Sequence, residues 1–374
     1  MMETKPIGLY VHIPFCLRKC NYCDFCSVAF DEERLKLYTD SIISEIASYQ
    51  CEPKIKINTI FFGGGTPSVI GVADFEKIVA EIRKSFDICP DTEFSVEVNP
   101  ATATPQKARA MKALGVNRIS IGLQSIHENE MKILGRIHTY NDFLETYRIF
   151  RDAGIGNINV DLMYGIPEQT KDSFKKTLEA VTALSPEHVS AYGLIVEEGT
   201  PFYVRKDELP LPEEDDEYAM YLSALSVLGD AGYSHYEISN YAKAGFECRH
   251  NLKYWRDEEY VGVGLSAHSY YRGKRYSNTH SFDEYFDGFG AKYRKDEGDG
   301  AGVDKFEYAM LALRLSEGLS LSEYRRLFGE EFAADKADLV ERYVGAGFMQ
   351  ISNGRLSFTG KGFYVSNTIL AELL

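Results

Sequence analysis

The first half of the chain repeats one unit. A short β-rich apolar run is followed by a loop marked by Gly or Pro, then by a stretch with helical spacing. The runs fall at 7–15, 57–62, 93–98, 118–123, 157–163 and 188–195, and helical patterns at 31–49, 72–86, 105–114, 140–153, 171–184 and 213–231. Parallel strands need a crossover between them, and helices supply it, so this alternation predicts a parallel sheet. Six units predict an α/β fold of the incomplete (β/α)6 barrel type. In such a barrel the loops that follow the strands share one rim. Here those loops hold the unusual residues: clustered cysteines, GGGTPS, NP, GLQS, DLMYG and EEGTP. The chemistry is expected on that rim.

After residue 232 the unit stops. HYEISNYA and VGVGLSAHSYY read as further strands, with CRHNLKYW between them. The stretch 276–302, rich in Tyr, Gly and charge, reads as loop and linker. From about 303 there are helical patterns, then MQISNGRLSFT, two short strands about Asn353-Gly354, and a last helix. Helices plus a hairpin predict a small winged-helix-like α+β domain. It carries 8 Lys/Arg against 10 Asp/Glu from residue 304 onward, which disfavours a DNA-binding wing and favours a packing lid. The expected organisation is a partial barrel at 1–232, barrel-completing strands at 233–300, and a C-terminal domain at 301–374.

The formal charge is −15, which excludes non-specific nucleic-acid binding. No run of about 18 apolar residues and no secretory signal is present, so a cytoplasmic chain without a membrane span is expected.

Four of the seven cysteines, Cys16, Cys20, Cys23 and Cys26, fall within eleven residues. Such clustering argues for metal ligation over disulfides. Cys16, Cys20 and Cys23 have the spacing C-x3-C-x2-C. Three thiolates on one loop can hold three irons of a [4Fe–4S] cubane and leave the fourth open to a chelating ligand. Zinc is the competing reading, but no second CxxC or HxxxH supplies the usual paired knuckle. Cys26 is read as a nearby spare thiol, since a fourth protein ligand would close the open iron.

YVHIPFCLRKCNYCDF resembles the radical S-adenosylmethionine superfamily. The resemblance extends along nearly the whole chain. It points to the branch that contains oxygen-independent coproporphyrinogen III dehydrogenase and its relative, the heme chaperone HemW. It implies that Cys16, Cys20 and Cys23 ligate the cluster, that Tyr10 binds the cofactor, and that Tyr22 packs on the adenine side. GGGTP matches a cofactor loop, placing Gly64, Gly65 and Thr66 at the methionine end; the Lys/Ser pair of a phosphate loop is missing. Glu97, Gln124, Arg136, Asp161 and Ile195 match further cofactor positions. The planar fork of Arg136 suits a carboxylate. Asp161, on an apolar strand, is costly to bury without a partner. The implied chemistry is reductive cleavage of S-adenosylmethionine to methionine and a 5′-deoxyadenosyl radical that abstracts hydrogen.

Two functions fit this branch. One is oxidative decarboxylation of two propionates of coproporphyrinogen III to vinyl groups. The other is holding heme and handing it to heme-accepting proteins, among them those of the respiratory chain. The dehydrogenase carries an extension before its cluster loop, whereas here Cys16 lies close to the first residue. HNLKYW at 250–255 resembles the HNxxYW motif of the chaperone branch and contains the only Trp. His250 is a candidate iron ligand, Tyr254 and Trp255 candidates for stacking on the macrocycle, and Cys248 a second soft ligand. The competing reading of the motif is a capped loop with a buried aromatic. His268 stands where the dehydrogenase has an apolar cofactor contact. The expected function is therefore the chaperone, with an S-adenosylmethionine-bound cluster, heme as cargo, an electron donor, and a homodimer as the family suggests.

Overall fold

The computed structural model describes residues 5–100, 102–288, 293–297 and 304–374. All six expected strands form: β1 (Ile7–Ile13), β2 (Lys56–Gly64), β3 (Asp87–Val98), β4 (Arg118–Gln124), β5 (Asn157–Tyr164) and β6 (His188–Gly193). They pair in chain order, every pair parallel. The helices that return the chain are α1 (Glu32–Ala47), α2 (Val72–Ser85), α3 (Pro105–Ala113), a short α4 (Glu128–Leu134), α5 (Tyr140–Asp152), α6 (Lys171–Leu184) and α7 (Glu214–Asp230). Four start where a side-chain oxygen takes up an orphan N–H of the first turn. Asp31, Thr104, Thr139 and Thr170 accept from Arg34, Lys107, Asp142 and Ser173.

Short antiparallel strands extend both sides of the sheet: β7 (Ser234–Glu237), β8 (Asn240–Ala242), β9 (Tyr260–Val263), β10 (His268–Tyr271), β11 (Lys274–Ser277) and β12 (Lys295–Asp296). β9 itself lies parallel to β1. The twelve-stranded order is β12-β11-β10-β9-β1-β2-β3-β4-β5-β6-β8-β7, so among the described residues the barrel stays open. Part of the stretch 276–302, read as linker, is ordered: it holds the end of β11, a helix at Phe282–Asp287, and β12. The expected boundary at 300/301 lies outside the described residues.

Strand alternation sorts the two faces. Leu9, Val11, Phe62, Val96, Ile121 and Val160 are fully buried in the core under the helices. The opposite face carries Tyr10, His12, Glu97, Ser120, Asn159 and Asp161, and is therefore polar. A closed eight-stranded barrel fills its interior with branched apolar side chains; this open one lines it with hydrogen-bonding groups.

The floor of that interior is a helix, α8 (Arg249–Trp255). Its start is held by a carboxylate from β3. Glu93 accepts the Arg249 N–H at 3.0 Å and the His250 N–H at 3.0 Å. CRHNLKYW, read as a segment between strands, is thus helical throughout except for Cys248 at its start. Its start signal is tertiary and invisible locally.

The C-terminal segment forms helices at Lys305–Leu313, Leu321–Phe328 and Ala337–Gly345 and a three-stranded antiparallel sheet. The expected hairpin joins Met349–Ser352 to Arg355–Phe358. Asn353 and Gly354 both have positive φ, 51° and 73°, as a two-residue primed turn requires. The segment packs on α7, where Tyr221 donates to the Gly360 carbonyl at 2.8 Å, and near the floor, where Ser316 donates to the His235 carbonyl at 2.6 Å. These contacts tie the segment to the outer helix α7 and to the edge strand β7. No helix of the described residues is long and apolar enough to cross a membrane.

Candidate cofactor site

The cluster loop leaves β1 and is pinned at both ends of its course. Residues Phe15–Cys16 pair with Val28–Ala29. In the middle, the Asn21 side chain donates to the Ile133 carbonyl at 2.8 Å and its N–H to the Leu134 carbonyl at 2.9 Å. The α4 turn was missed by the sequence reading because seven residues are too short for a clear period.

Cys16, Cys20 and Cys23 line one cavity of about 530 Å³ on the rim. Burial pushes the Cys16 thiol up and the Cys23 thiol to about 11, outweighing the nearby Arg136 and Lys19 cations. Donors reach all three sulfurs: the Thr66 hydroxyl to Cys16 at 3.5 Å and Arg136 Nη1 to Cys20 at 3.5 Å, with the Ser27 hydroxyl also on Cys16 and the Phe25 N–H on Cys23. Among the described residues no three His, Cys, Asp or Glu converge on a single-ion position. Three spread thiols suit a cluster, in which each takes a different iron, better than one tetrahedral ion. Cys26 lines a separate, neighbouring cavity.

The same cavity gathers Tyr22, Gly64, Gly65, Thr66, Glu97 and Gln124, and with them Arg136, Asp161 and Ile195. Gly64 has φ 110°, and a Cβ there would lie 2.5 Å from His12 Cε1; a Cβ on Gly65 would lie 2.8 Å from the Phe15 carbonyl oxygen. Only glycine lets this loop lie so close to the cluster strand. The Gly64 N–H donates to Glu97 at 3.2 Å. Gln124 sits at a register shift in β4 with φ 68°, a strained position that turns its amide into the cavity. Its Oε1 is buried without a partner. Arg136 donates to the Asn99 side chain at 3.1 Å and keeps an unpartnered Nε. Ile195 stands 67% exposed at the mouth.

Asp161 is not the lone carboxylate that the sequence suggested. The Asn159 amide donates to it at 2.7 Å and the Ser120 hydroxyl at 3.1 Å. Burial still holds it above the usual carboxylate range. Glu97 is pushed up to about 8, by burial first and by Asp161 next. Two half-buried carboxylates, an orphaned amide oxygen and an arginine are complementary to a ligand bearing an ammonium, a sulfonium and a carboxylate. The residues present therefore fit S-adenosylmethionine on a cluster.

Asn99, Arg118, Ser120, Asn159 and Tyr192 also face this cavity and went unrecognised in the sequence. Their signal was available: Arg118-Ser120-Gly122-Gln124 and Asn157-Asn159-Asp161 alternate polar with apolar at period two.

Four expected residues lie elsewhere. Tyr10 is one layer deeper, stacked 6.4 Å from His250 and bonded through its hydroxyl to His12 Nδ1 at 3.0 Å. His250 is 1% exposed, and both ring nitrogens are engaged, Nδ1 with the Thr59 hydroxyl at 2.8 Å and Nε2 with the Tyr254 hydroxyl at 2.9 Å. Burial lowers its pKa to about 3. As placed, it is a structural core histidine with no nitrogen to offer iron. Trp255 bonds the buried Glu237 carboxylate. Cys248 is fully buried against Glu93 and Arg118, its thiol pushed up to about 12, and is no accessible ligand.

The radical SAM superfamily model matches residues 10–181, and the HemN C-terminal domain model residues 305–365. The heme chaperone HemW of Lactococcus lactis is 33% identical across 100% of this chain and 98% of its own. That of Bacillus subtilis is 33% identical over 98% of each. The chain belongs to the HemW family, within the radical SAM superfamily. The HemW of Escherichia coli matches at 33% identity over 87% of this chain and 86% of its own. The solved coproporphyrinogen III oxidase HemN of Escherichia coli superposes with a TM-score of 0.82 over 98% of this chain and 89% of its own, at 21% identity. That likeness establishes the shared fold, C-terminal domain included. Superfamily membership brings a [4Fe–4S] cluster and S-adenosylmethionine to this chain.

Proposed function

We propose that this protein is a heme chaperone: it binds heme, carries a cluster with S-adenosylmethionine, and passes heme to acceptor proteins. The observation that carries the reading is full-length identity of 33% to HemW proteins from Lactococcus lactis and Bacillus subtilis. In this reading Cys16, Cys20 and Cys23 each hold one iron. Gly64, Gly65 and Thr66 cradle the methionine end, Glu97 and Asp161 supply negative charge for its cationic groups, and Arg136 faces its carboxylate. Gln124 and Tyr22 orient the remainder, and Ile195 closes over the adenine. When bound, the cluster and cofactor supply reductive C5′–S cleavage, with an electron donor. The protein's own residues exclude water from the thiols and fix the cofactor's charge pattern. The acceptors are proposed to be heme proteins such as those of the respiratory chain, reached by a cytoplasmic homodimer.

An anaerobic comparison tests the reading. The cluster-reconstituted protein is offered hemin and an apo-hemoprotein in one assay, and coproporphyrinogen III with S-adenosylmethionine and a reductant in another. Stoichiometric heme uptake followed by transfer is expected. Vinyl porphyrinogen products without heme transfer would overturn it.

A further inference from the structure

Beside the cofactor cavity lies a second one, of about 740 Å³. Lys19, Asp24 and Phe25 of the cluster loop form the partition, lining both. The second cavity has flat apolar walls from Tyr254, Tyr260 and Phe282, and Phe25 at its edge is 64% exposed. Ligand pockets are typically lined by such aromatic side chains together with a few polar groups.

Three imidazoles line this cavity: His12, His268 and His280. His12 is committed, its Nδ1 to the Tyr10 hydroxyl at 3.0 Å and its Nε2 to the Cys26 carbonyl at 2.8 Å. His268 is different. Its side chain is 53% exposed, and its Nδ1 lies 3.3 Å from a Glu297 carboxylate oxygen. A carboxylate on one ring nitrogen fixes the ring and leaves the other for a metal, the usual outer support of a ligating histidine. Heme brings four equatorial nitrogens of its own, so one such imidazole suffices. Flat walls suit the macrocycle, and Lys19 at the partition suits a propionate.

We propose that this second cavity is the heme site, with His268 Nε2 as axial ligand, Glu297 as its positioning residue, Phe25 and Tyr260 against the macrocycle, and Lys19 at a propionate. The inference rests on the heme-chaperone reading and gives it a location. It replaces the buried His250 by an exposed histidine two strands away and places the heme one side chain from the cluster loop.

The test titrates hemin into the full-length, cluster-reconstituted protein. Uptake is read as a Soret difference spectrum against the heme-free protein, and the ligand by ferric-heme electron paramagnetic resonance. His268→Ala should weaken uptake by at least about tenfold and remove the imidazole signature, and Glu297→Gln should weaken it by about tenfold or less. His268→Met should retain heme with a shifted spectrum. Both positions are partly exposed, so folding is not at stake; circular dichroism and iron content check this. His268→Ala taking up hemin with wild-type affinity and spectrum overturns the location while leaving the chaperone reading standing. Wild-type protein that takes up no hemin overturns the reading itself.

Discussion

Glu97 and Asp161 face one cavity as two half-buried carboxylates, and the charge on Asp161 adds to desolvation in holding the Glu97 carboxyl up at about 8. The folded, cofactor-free protein therefore keeps a proton on Glu97 that the unfolded chain gives up near 4.5. The folded state binds the extra proton between those values, so this group's stabilisation is full below the lower value and is lost as pH rises to about 8. Glu97→Gln removes that loss. Its melting temperature should exceed the wild type's at alkaline pH, and the gap should close as pH falls towards the unfolded value. Cofactor binding carries the opposite sign, because a cation favours the carboxylate. Wild-type affinity for S-adenosylmethionine should rise with pH and level off above about 8, and Glu97→Gln should abolish the rise. Calorimetric titration reads this directly. A melting gap that does not depend on pH would contradict the assignment.

The thiols separate by cavity. Replacing Cys16, Cys20 or Cys23 with Ala should strip iron and sulfide from the reconstituted protein, since each is proposed to hold its own iron. Cys26→Ala should keep both, because Cys26 lines the neighbouring cavity. Iron and sulfide analysis, with electron paramagnetic resonance of the reduced cluster, decides it. A Cys26 variant without iron would make that thiol a ligand.

Much of this was legible in advance because it is local. The six strands carry unbroken apolar faces, and Asn353-Gly354 is a turn that few other pairs can make. The cysteine spacing, the GGG loop and the rim position of Glu97, Gln124, Arg136 and Asp161 were likewise readable, since strand-ending loops must share a rim. What failed was non-local. The start of α8 is held by Glu93, more than 150 residues away in the chain, so no nearby cap announces it. His250 looked like a ligand because its two partners, Thr59 and Tyr254, meet it only in the folded barrel.

His250 is expected to act on stability first. His250→Ala leaves the Thr59 and Tyr254 hydroxyls without their partner in a buried place and opens a ring-sized void beneath Tyr10. Each unsatisfied group costs about 1–3 kcal/mol, so a loss of roughly 3–5 kcal/mol is expected with the void included. Denaturant unfolding with an unchanged m-value measures it. Unchanged stability together with a collapse of heme affinity would instead make His250 the ligand.

Gly64 is the most sensitive point of the cofactor loop. Its φ is 110°, and a Cβ would fall 2.5 Å from the His12 ring. That ring cannot swing away cheaply, because its two nitrogens are tied to the Tyr10 hydroxyl and the Cys26 carbonyl. Gly64→Ala must therefore strain its backbone, at about 1–3 kcal/mol, or break those bonds. Either way the Gly64 N–H shifts relative to Glu97, and cofactor binding should fall at least tenfold, about 1.4 kcal/mol, while cluster iron is retained. Gly229 is the control. It lies within α7 with open space where its Cβ would be, so Gly229→Ala should stabilise the protein by about 0.5–1 kcal/mol and leave cofactor binding as it was. Thermal melts and equilibrium dialysis with S-adenosylmethionine measure both. Wild-type cofactor affinity in Gly64→Ala would mean that the loop does not carry the methionine end.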